Sequence, residues 1–128
     1  MSVRILAVDD SPIVRTMVRK AIGMSGLDVG AFHEAANGRE ALELLGSTPV
    51  DVVFADINMP EMSGLELVDR MAAAPGLSGI PVVIVSSERN EARIEGLRAR
   101  GIRYLHKPFR PEHFRDVVAE LGAGGRHG

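Results

Sequence analysis

The sequence predicts an α/β fold in which a five-stranded parallel β-sheet is covered by helices on both faces. Three observations support this prediction. Five short apolar segments alternate along the chain with segments whose apolar residues recur at helical spacing. The short segments are continuously apolar, without alternating polar residues, which is typical of strands buried on both faces. Each strand is followed by a helix, and five such units in succession require a parallel sheet.

Length and composition indicate one globular domain. The chain has 128 residues, of which 45% are hydrophobic and 25% charged, and this length can bury a substantial core. It has no cysteine, which excludes disulfides and favours a reducing compartment. A formal net charge of −2 gives no general attraction to nucleic acid, and no segment resembles a signal peptide or a membrane span. We therefore expect a cytoplasmic monomer with one domain over residues 1–121 and a flexible tail over residues 122–128.

The first strand is followed by two acids. Val3–Val8 is apolar, and Asp9 and Asp10 come directly after it. Ser11 has a hydroxyl suited to helix capping, and Pro12 fits the first helical position, so the first helix should begin there. The residues of this helix that should face the core recur at helical spacing: Val14, Met17, Val18, Ala21 and Ile22.

The second unit is the weakest. The strand Val29–Ala36 has small residues, which suggests a sheet edge. Asn37 and Gly38 form a turn signal, and a short helix over Arg39–Leu45 should end before Pro49.

The third strand ends on a single acid. Asp51–Ala55 reads as a buried strand, Asp56 follows it, and Pro60 prevents the strand from continuing. A new helix should begin after Ser63. Its predicted core-facing residues are Leu65, Val68, Met71 and Ala72. An acid at the carboxyl end of a central parallel strand lies where open α/β sheets place their chemistry, so Asp56 is the candidate reacting residue.

The fourth unit combines the most apolar strand with the least amphipathic helix. Ile80–Val85 should form the strand, and Ser86 follows it. The helix over Glu91–Arg100 has only Ile94 and Leu97 as large apolar residues. Weak burial implies weak anchoring, so this helix is a candidate for movement.

The fifth strand leads to a lysine. Ile102–Leu105 should be a short strand, and Lys107 lies just beyond its end. The last helix should begin near Pro111. Its predicted buried residues are Phe114, Val117, Val118 and Leu121.

Right-handed crossovers favour the doubly wound, flavodoxin-like strand order 2-1-3-4-5. In that order the carboxyl ends of strands one, three, four and five meet at one edge. The side chains expected to converge there are those of Asp9, Asp10, Asp56, Ser86 and Lys107.

Such a cluster is suited to a metal ion and to phosphoryl chemistry. Neighbouring carboxylates repel one another, and an ammonium and a divalent cation relieve this repulsion. Hard oxygen ligands select Mg²⁺ or Mn²⁺. Asp10 and Asp56 would be direct ligands and Asp9 direct or through water, with the backbone carbonyl of Asn58 as a further ligand. Asp56 is then equipped to accept a phosphoryl group, and Lys107 and Ser86 would bind its other oxygens.

The sequence resembles the receiver domain of two-component response regulators, in its stand-alone, chemotaxis-like form. The resemblance rests on the Asp9-Asp10 pair, on Asp56 within DINMPEMSG, on Ser86 and on Lys107-Pro108. It implies that Asp56 takes a phosphoryl group from the phosphohistidine of a sensor histidine kinase, and that Asp9, Asp10 and the main chain of Asn58 bind Mg²⁺.

The same resemblance implies how the signal leaves the domain. Ser86 and Tyr104 would shift together on phosphorylation and change the surface formed by helix four, strand five and the last helix, which would bind a downstream protein. The only catalysis implied is self-catalysed phosphoryl uptake and slow autodephosphorylation. Two departures are that Ser86 replaces the commoner threonine and that Ser87 replaces a small apolar residue. Asn58 and Glu88 lie where the family varies, next to the phosphoryl group.

Two other classes of protein fit part of this pattern. A Mg²⁺-dependent phosphohydrolase also uses an aspartyl-phosphate intermediate on a parallel sheet, but such enzymes usually carry an Asp-x-Asp pair after the first strand and a cap domain. This chain has adjacent acids there. A degenerate interaction module that needs no phosphorylation is the other, and the complete set of acids argues against it.

Overall fold

Five parallel strands form one sheet in the order β2-β1-β3-β4-β5. This is seen in a computed structural model that describes residues 2–59 and 61–122. The strands are β1 (Val3–Val8), β2 (Val29–Ala35), β3 (Val52–Ala55), β4 (Val82–Ser86) and β5 (Arg103–His106). The helices are α1 (Pro12–Gly23), α2 (Gly38–Leu45), α3 (Gly64–Ala73), α4 (Glu91–Ala99) and α5 (Pro111–Leu121). The predicted doubly wound fold and strand order are confirmed.

The boundaries of the fourth and fifth strands differ from those predicted, and β5 covers Arg103–His106 instead of Ile102–Leu105. The N–H of Ile80 bonds to the carbonyl of Leu77, so Ile80 belongs to the preceding turn and β4 begins at Val82. At the other end Ser86 is part of the strand, because its carbonyl accepts from the N–H of Lys107 at 2.8 Å. Pro60 and residues 123–128 of the predicted tail lie outside the described residues.

Alternate residues of the strands point to opposite faces of the sheet and build two cores. Ile5 and Phe54 pack with α1 and α5 on one face, where the ring of Phe54 meets that of Phe114 edge-on at 5.1 Å between centroids. Leu6 and Val53 pack with α2, α3 and α4 on the other. Both faces of the sheet are therefore covered, which explains why the strand sequences are continuously apolar.

Two helical faces were predicted with errors. Met17 is 53% exposed, because the buried stripe of α1 runs through Val18, Ala21 and Ile22 and leaves its neighbour in sequence on the solvent side. In α3 Ala72 is exposed, whereas Leu67 is fully buried.

Side-chain caps fix where the helices begin. The Ser11 hydroxyl accepts from the N–H of Val14 at 3.2 Å, so Ser11 caps α1 as predicted. Ser63 and Glu66 form a reciprocal capping box at α3. In α4, by contrast, Leu97 is the one buried residue, which agrees with the predicted weak anchoring of this helix. Within the described residues no helix is both long enough and apolar enough to cross a membrane.

Candidate functional site

Three carboxylates meet at the carboxyl edge of the sheet. β1 and β3 are neighbours, and the N–H of Asp56 bonds to the carbonyl of Val8 at 3.0 Å. This pairing sets Asp9 and Asp10 beside Asp56, with one oxygen of each carboxylate within 4.8 Å of the others. Asp9 is buried, Asp56 is half-buried and Asp10 is exposed. Asp9 therefore lies at the buried end of the group, and the Asp10 carboxylate is accessible to solvent.

Lys107 supplies positive charge to this group. Its Nζ lies 3.4 Å from Asp9 Oδ2 and 3.8 Å from Asp56 Oδ1. The lysine is held there because its own N–H extends the pairing of β5 with β4. Residues from opposite ends of the chain thus share one pocket.

The Asp56 carboxyl has a raised pKa. Burial is the largest cause, since it disfavours the charged form, and the nearby charges of Asp9 and Asp10 add to it. The ammonium of Lys107 and the N–H of Ile57, which donates to Asp56 Oδ1 at 2.9 Å, act in the opposite direction. Burial and repulsion outweigh the ammonium.

Ser86 and Tyr104 are joined through the segment that follows β4. Ser86 is buried, and its Oγ accepts from the N–H of Glu88 at 3.1 Å, which leaves its own proton free to donate elsewhere. The Tyr104 hydroxyl approaches two carbonyl oxygens, that of Glu88 at 2.7 Å and that of Ser86 at 3.1 Å. Hydrogen bonds to main-chain atoms of this segment therefore connect the two residues predicted to move together.

A family model described as the response regulator receiver domain matches residues 5–119. The chain belongs to this family. It is similar to the nitrate/nitrite response regulator protein NarL of Escherichia coli K12, with 36% identity over 120 residues, 94% of this chain and 55% of NarL. This receiver domain thus spans about half the length of the first curated relatives that it matches.

Two further comparisons cover both partners almost completely. A chemotaxis protein CheY homolog of Campylobacter jejuni is 35% identical over 128 residues, 98% of this chain and 97% of the homolog. The solved structure of Vibrio cholerae CheY4 has a TM-score of 0.81 at 30% identity, over 94% of this chain and 99% of that one. The receiver fold therefore extends over nearly the whole sequence.

The acids of this receiver domain fit a hard divalent cation. Three carboxylates supply oxygen ligands within 4.8 Å of one another, and Mg²⁺ prefers such oxygens and keeps several of its waters. Asp10 and the loop residue Asn58 are exposed, which leaves space for those waters.

Gly64 is packed directly against the main chain of Asp56. A β-carbon at position 64 would lie 2.3 Å from the Asp56 carbonyl oxygen, which is far inside contact distance. A glycine is therefore required where α3 begins, and the close approach fixes the end of β3 that bears Asp56.

Two side-chain contacts near the site were not predicted from the sequence. Arg15 Nη1 donates to the Asp9 carbonyl at 2.6 Å, and Glu88 forms an ion pair with Arg93 at 2.7 Å. Each of these arginines lies in a helix that carries at least one other basic residue. No spacing in the sequence distinguishes them from arginines that face only solvent.

Proposed function

We propose that this receiver domain is a phosphorylation-controlled switch whose Asp56 accepts a phosphoryl group from the phosphohistidine of a sensor histidine kinase. The observation that carries the proposal is the position of the Lys107 ammonium, within 4 Å of both Asp9 and Asp56. This lysine follows β5, and its ammonium can pair with a further anion that enters the pocket.

Phosphoryl transfer can be written with the residues present. A carboxylate oxygen of Asp56 attacks phosphorus, the P–N bond of the phosphohistidine breaks, and its electron pair stays on the imidazole nitrogen, which then takes up a proton. Lys107 pairs with one phosphoryl oxygen and the Ser86 hydroxyl donates to another. The protein contributes position and charge, which is the main requirement of this reaction.

Asp9, Asp10, Asp56 and the backbone carbonyl of Asn58 would hold Mg²⁺, or Mn²⁺ in its place. When bound, the cation offsets the negative charge of the phosphoryl oxygens. The charge of the pocket supports the binding of a cation, because one ammonium does not balance three carboxylates.

The signal would leave through the surface formed by α4, β5 and α5. An open cleft of about 550 Å³ lies on this surface, and its lining includes Arg98, Tyr104 and His113. Tyr104 thus touches both the segment after β4 and the cleft. The loosely anchored α4 would shift with it and favour a conformation already present as a minor state. We propose a downstream protein as the partner, a monomeric receiver, and no binding of nucleic acid or membrane.

The test uses a small donor. The chain is incubated with Mg²⁺ and phosphoramidate, whose P–N bond stands in for that of phosphohistidine, and its intact mass is measured. We expect one phosphoryl adduct in the wild-type chain and in Asp28→Asn, an exposed control, and none in Asp56→Asn or without Mg²⁺. An adduct that persists in Asp56→Asn would refute the site, and multiple turnover of a phosphate ester would favour the phosphohydrolase.

A further inference from the structure

We infer that Arg15 is a positioning residue for the metal-binding acids, because it holds the peptide that joins Asp9 to Asp10 in a fixed orientation. The inference rests on the proposed function in one respect, the binding of Mg²⁺ by these acids. It assigns to α1 a role in the pocket beyond covering the sheet.

The Arg15 side chain is fixed at two points. Its Nη1 donates to the Asp9 carbonyl at 2.6 Å, and its Nε donates to Glu34 Oε1 at 2.9 Å. The side chain is 16% exposed, whereas Arg19, one turn further along the same helix, is 60% exposed. A long side chain that is largely covered and bonded at two nitrogens has lost most of its rotamer freedom. The Arg15 side chain can therefore hold the turn after β1 and strand β2 in a fixed relative position.

Its partner Glu34 is well placed to hold it. Glu34 lies on β2 directly opposite Ala7 of β1. It is therefore close to the end of β1 that precedes Asp9. Through Arg15, the edge strand, the first helix and the turn after β1 are connected by two charge-assisted hydrogen bonds, which are the stronger kind.

The other polar atoms of Asp9 are also occupied. Its N–H donates to the Ala35 carbonyl at 3.1 Å, its Oδ1 accepts from the Ser11 N–H at 2.9 Å, and its Oδ2 faces Lys107. The Asp9 carbonyl is the atom that Arg15 holds, and it belongs to the peptide from which Asp10 departs. The Asp10 carboxylate is exposed, and the orientation of this peptide sets the direction in which the Asp10 side chain leaves the main chain.

A lysine at position 15 separates geometry from charge. It keeps the positive charge, but its single nitrogen cannot reproduce the planar fork that bonds the Asp9 carbonyl and Glu34 together. If charge alone mattered, Arg15→Lys would behave as the wild type does. If the fork matters, the turn loosens and Mg²⁺ affinity falls.

The experiment is isothermal titration calorimetry of Mg²⁺ into the unphosphorylated chain. We expect Arg15→Lys to weaken binding about tenfold, the lower end of the range for groups that orient metal ligands. The matched control is Arg19→Lys, because Arg19 bonds the other oxygen of Glu34 at 3.2 Å and has no bond to Asp9 among the described contacts; its affinity should be unchanged. In the metal-free protein, the amide NMR signal of Asp10 should shift in Arg15→Lys and not in Arg19→Lys.

A second variant guards against a folding defect in the first. Glu34→Ala leaves Arg15 in place and removes one of its two anchors, so we expect a smaller loss in the same direction, and the double variant should lose no more than Arg15→Lys alone. Wild-type affinity in Arg15→Lys, or in Glu34→Ala, would overturn this inference and leave the proposed function standing. A wild-type chain that binds no Mg²⁺ would overturn both.

Discussion

The hydroxyl of Tyr104 donates to the carbonyl oxygen of Glu88 at 2.7 Å. This bond joins β5 to the segment between β4 and α4, and the N–H of the same Glu88 reaches the Ser86 hydroxyl. The same hydroxyl also approaches the Ser86 carbonyl oxygen at 3.1 Å, so Tyr104 is linked to Ser86 both directly and through Glu88.

Removing this hydroxyl should separate phosphoryl uptake from the response of α4. We predict that Tyr104→Phe destabilises the fold by about 1 kcal/mol, the usual net worth of such a hydrogen bond, and still forms the Asp56 adduct. Hydrogen exchange of the α4 amides should then change less on phosphorylation than it does in the wild type. An α4 response of wild-type size in Tyr104→Phe would exclude the tyrosine from the switch.

Lys107 should be needed for phosphoryl uptake. Lys107→Met removes the ammonium beside Asp56, so the incoming charge is no longer offset, and the pKa of Asp56 should rise further because its main opposing influence is lost. We predict that the adduct forms about a hundredfold more slowly, as when one preorganised charge partner is removed. Lys20→Met, an exposed lysine of α1, is the control and should react at the wild-type rate. Equal rates of adduct formation in the two variants would show that Lys107 is not needed for phosphoryl uptake.

The raised pKa of Asp56 predicts a dependence of stability on pH. Between the ordinary pKa of an aspartate and the raised folded value, the folded state binds more protons than the unfolded state, so stability falls as pH rises through this range. Above the pKa that Asp56 has in the folded state, the full unfavourable contribution of its buried charge to the free energy of unfolding is present. Without metal at about pH 7, Asp56→Asn should therefore unfold at a higher temperature than the wild type, and its advantage should shrink towards about pH 4. Asp28→Asn should show no advantage; a gain as large in that variant would mean that the effect is not local to the pocket.

The contact between Gly64 and the Asp56 carbonyl predicts a steric effect. Gly64→Ala places a β-carbon 2.3 Å from that oxygen, and because both partners are main chain the strand end must move. We predict a loss of stability of about 1–3 kcal/mol, typical of overpacking, together with slower adduct formation at Asp56. Gly23→Ala, where a β-carbon meets nothing within 4 Å, should affect neither property. Urea unfolding and intact-mass kinetics measure the two effects, and unchanged kinetics in Gly64→Ala would show that Asp56 does not depend on this contact.

The sequence was sufficient to predict the strand order and the convergence of the acids with Lys107. Both follow from alternation of elements and from the rule that parallel strands end at one edge, and neither depends on side-chain detail. Strand limits were less accurate, because Ser86 continues β4 through a main-chain bond to Lys107 and its side chain carries no sign of this.

Side-chain orientation around helices was predicted less well. Helical spacing placed Met17 in the core, but the stripe of α1 that is covered is narrower than the apolar residues available, and Met17 remains exposed. Conversely, Leu67 is fully buried although the helical spacing does not predict it, since α3 has apolar residues on more than one side. The bond from Arg15 to Asp9 depends on the distance between a helix and a strand end, which no spacing along the chain encodes.

The pairing of β5 with β4 has a consequence for the newly synthesised protein. Asp9 and Asp56 are synthesised before Lys107, which reaches them only when residues 103–106 have joined the sheet. A nascent chain that has folded its first three strands would have the acids without their counter-charge. Under the proposed chemistry, a kinase would then transfer its phosphoryl group efficiently to molecules in which β5 has joined the sheet and poorly to those in which it has not.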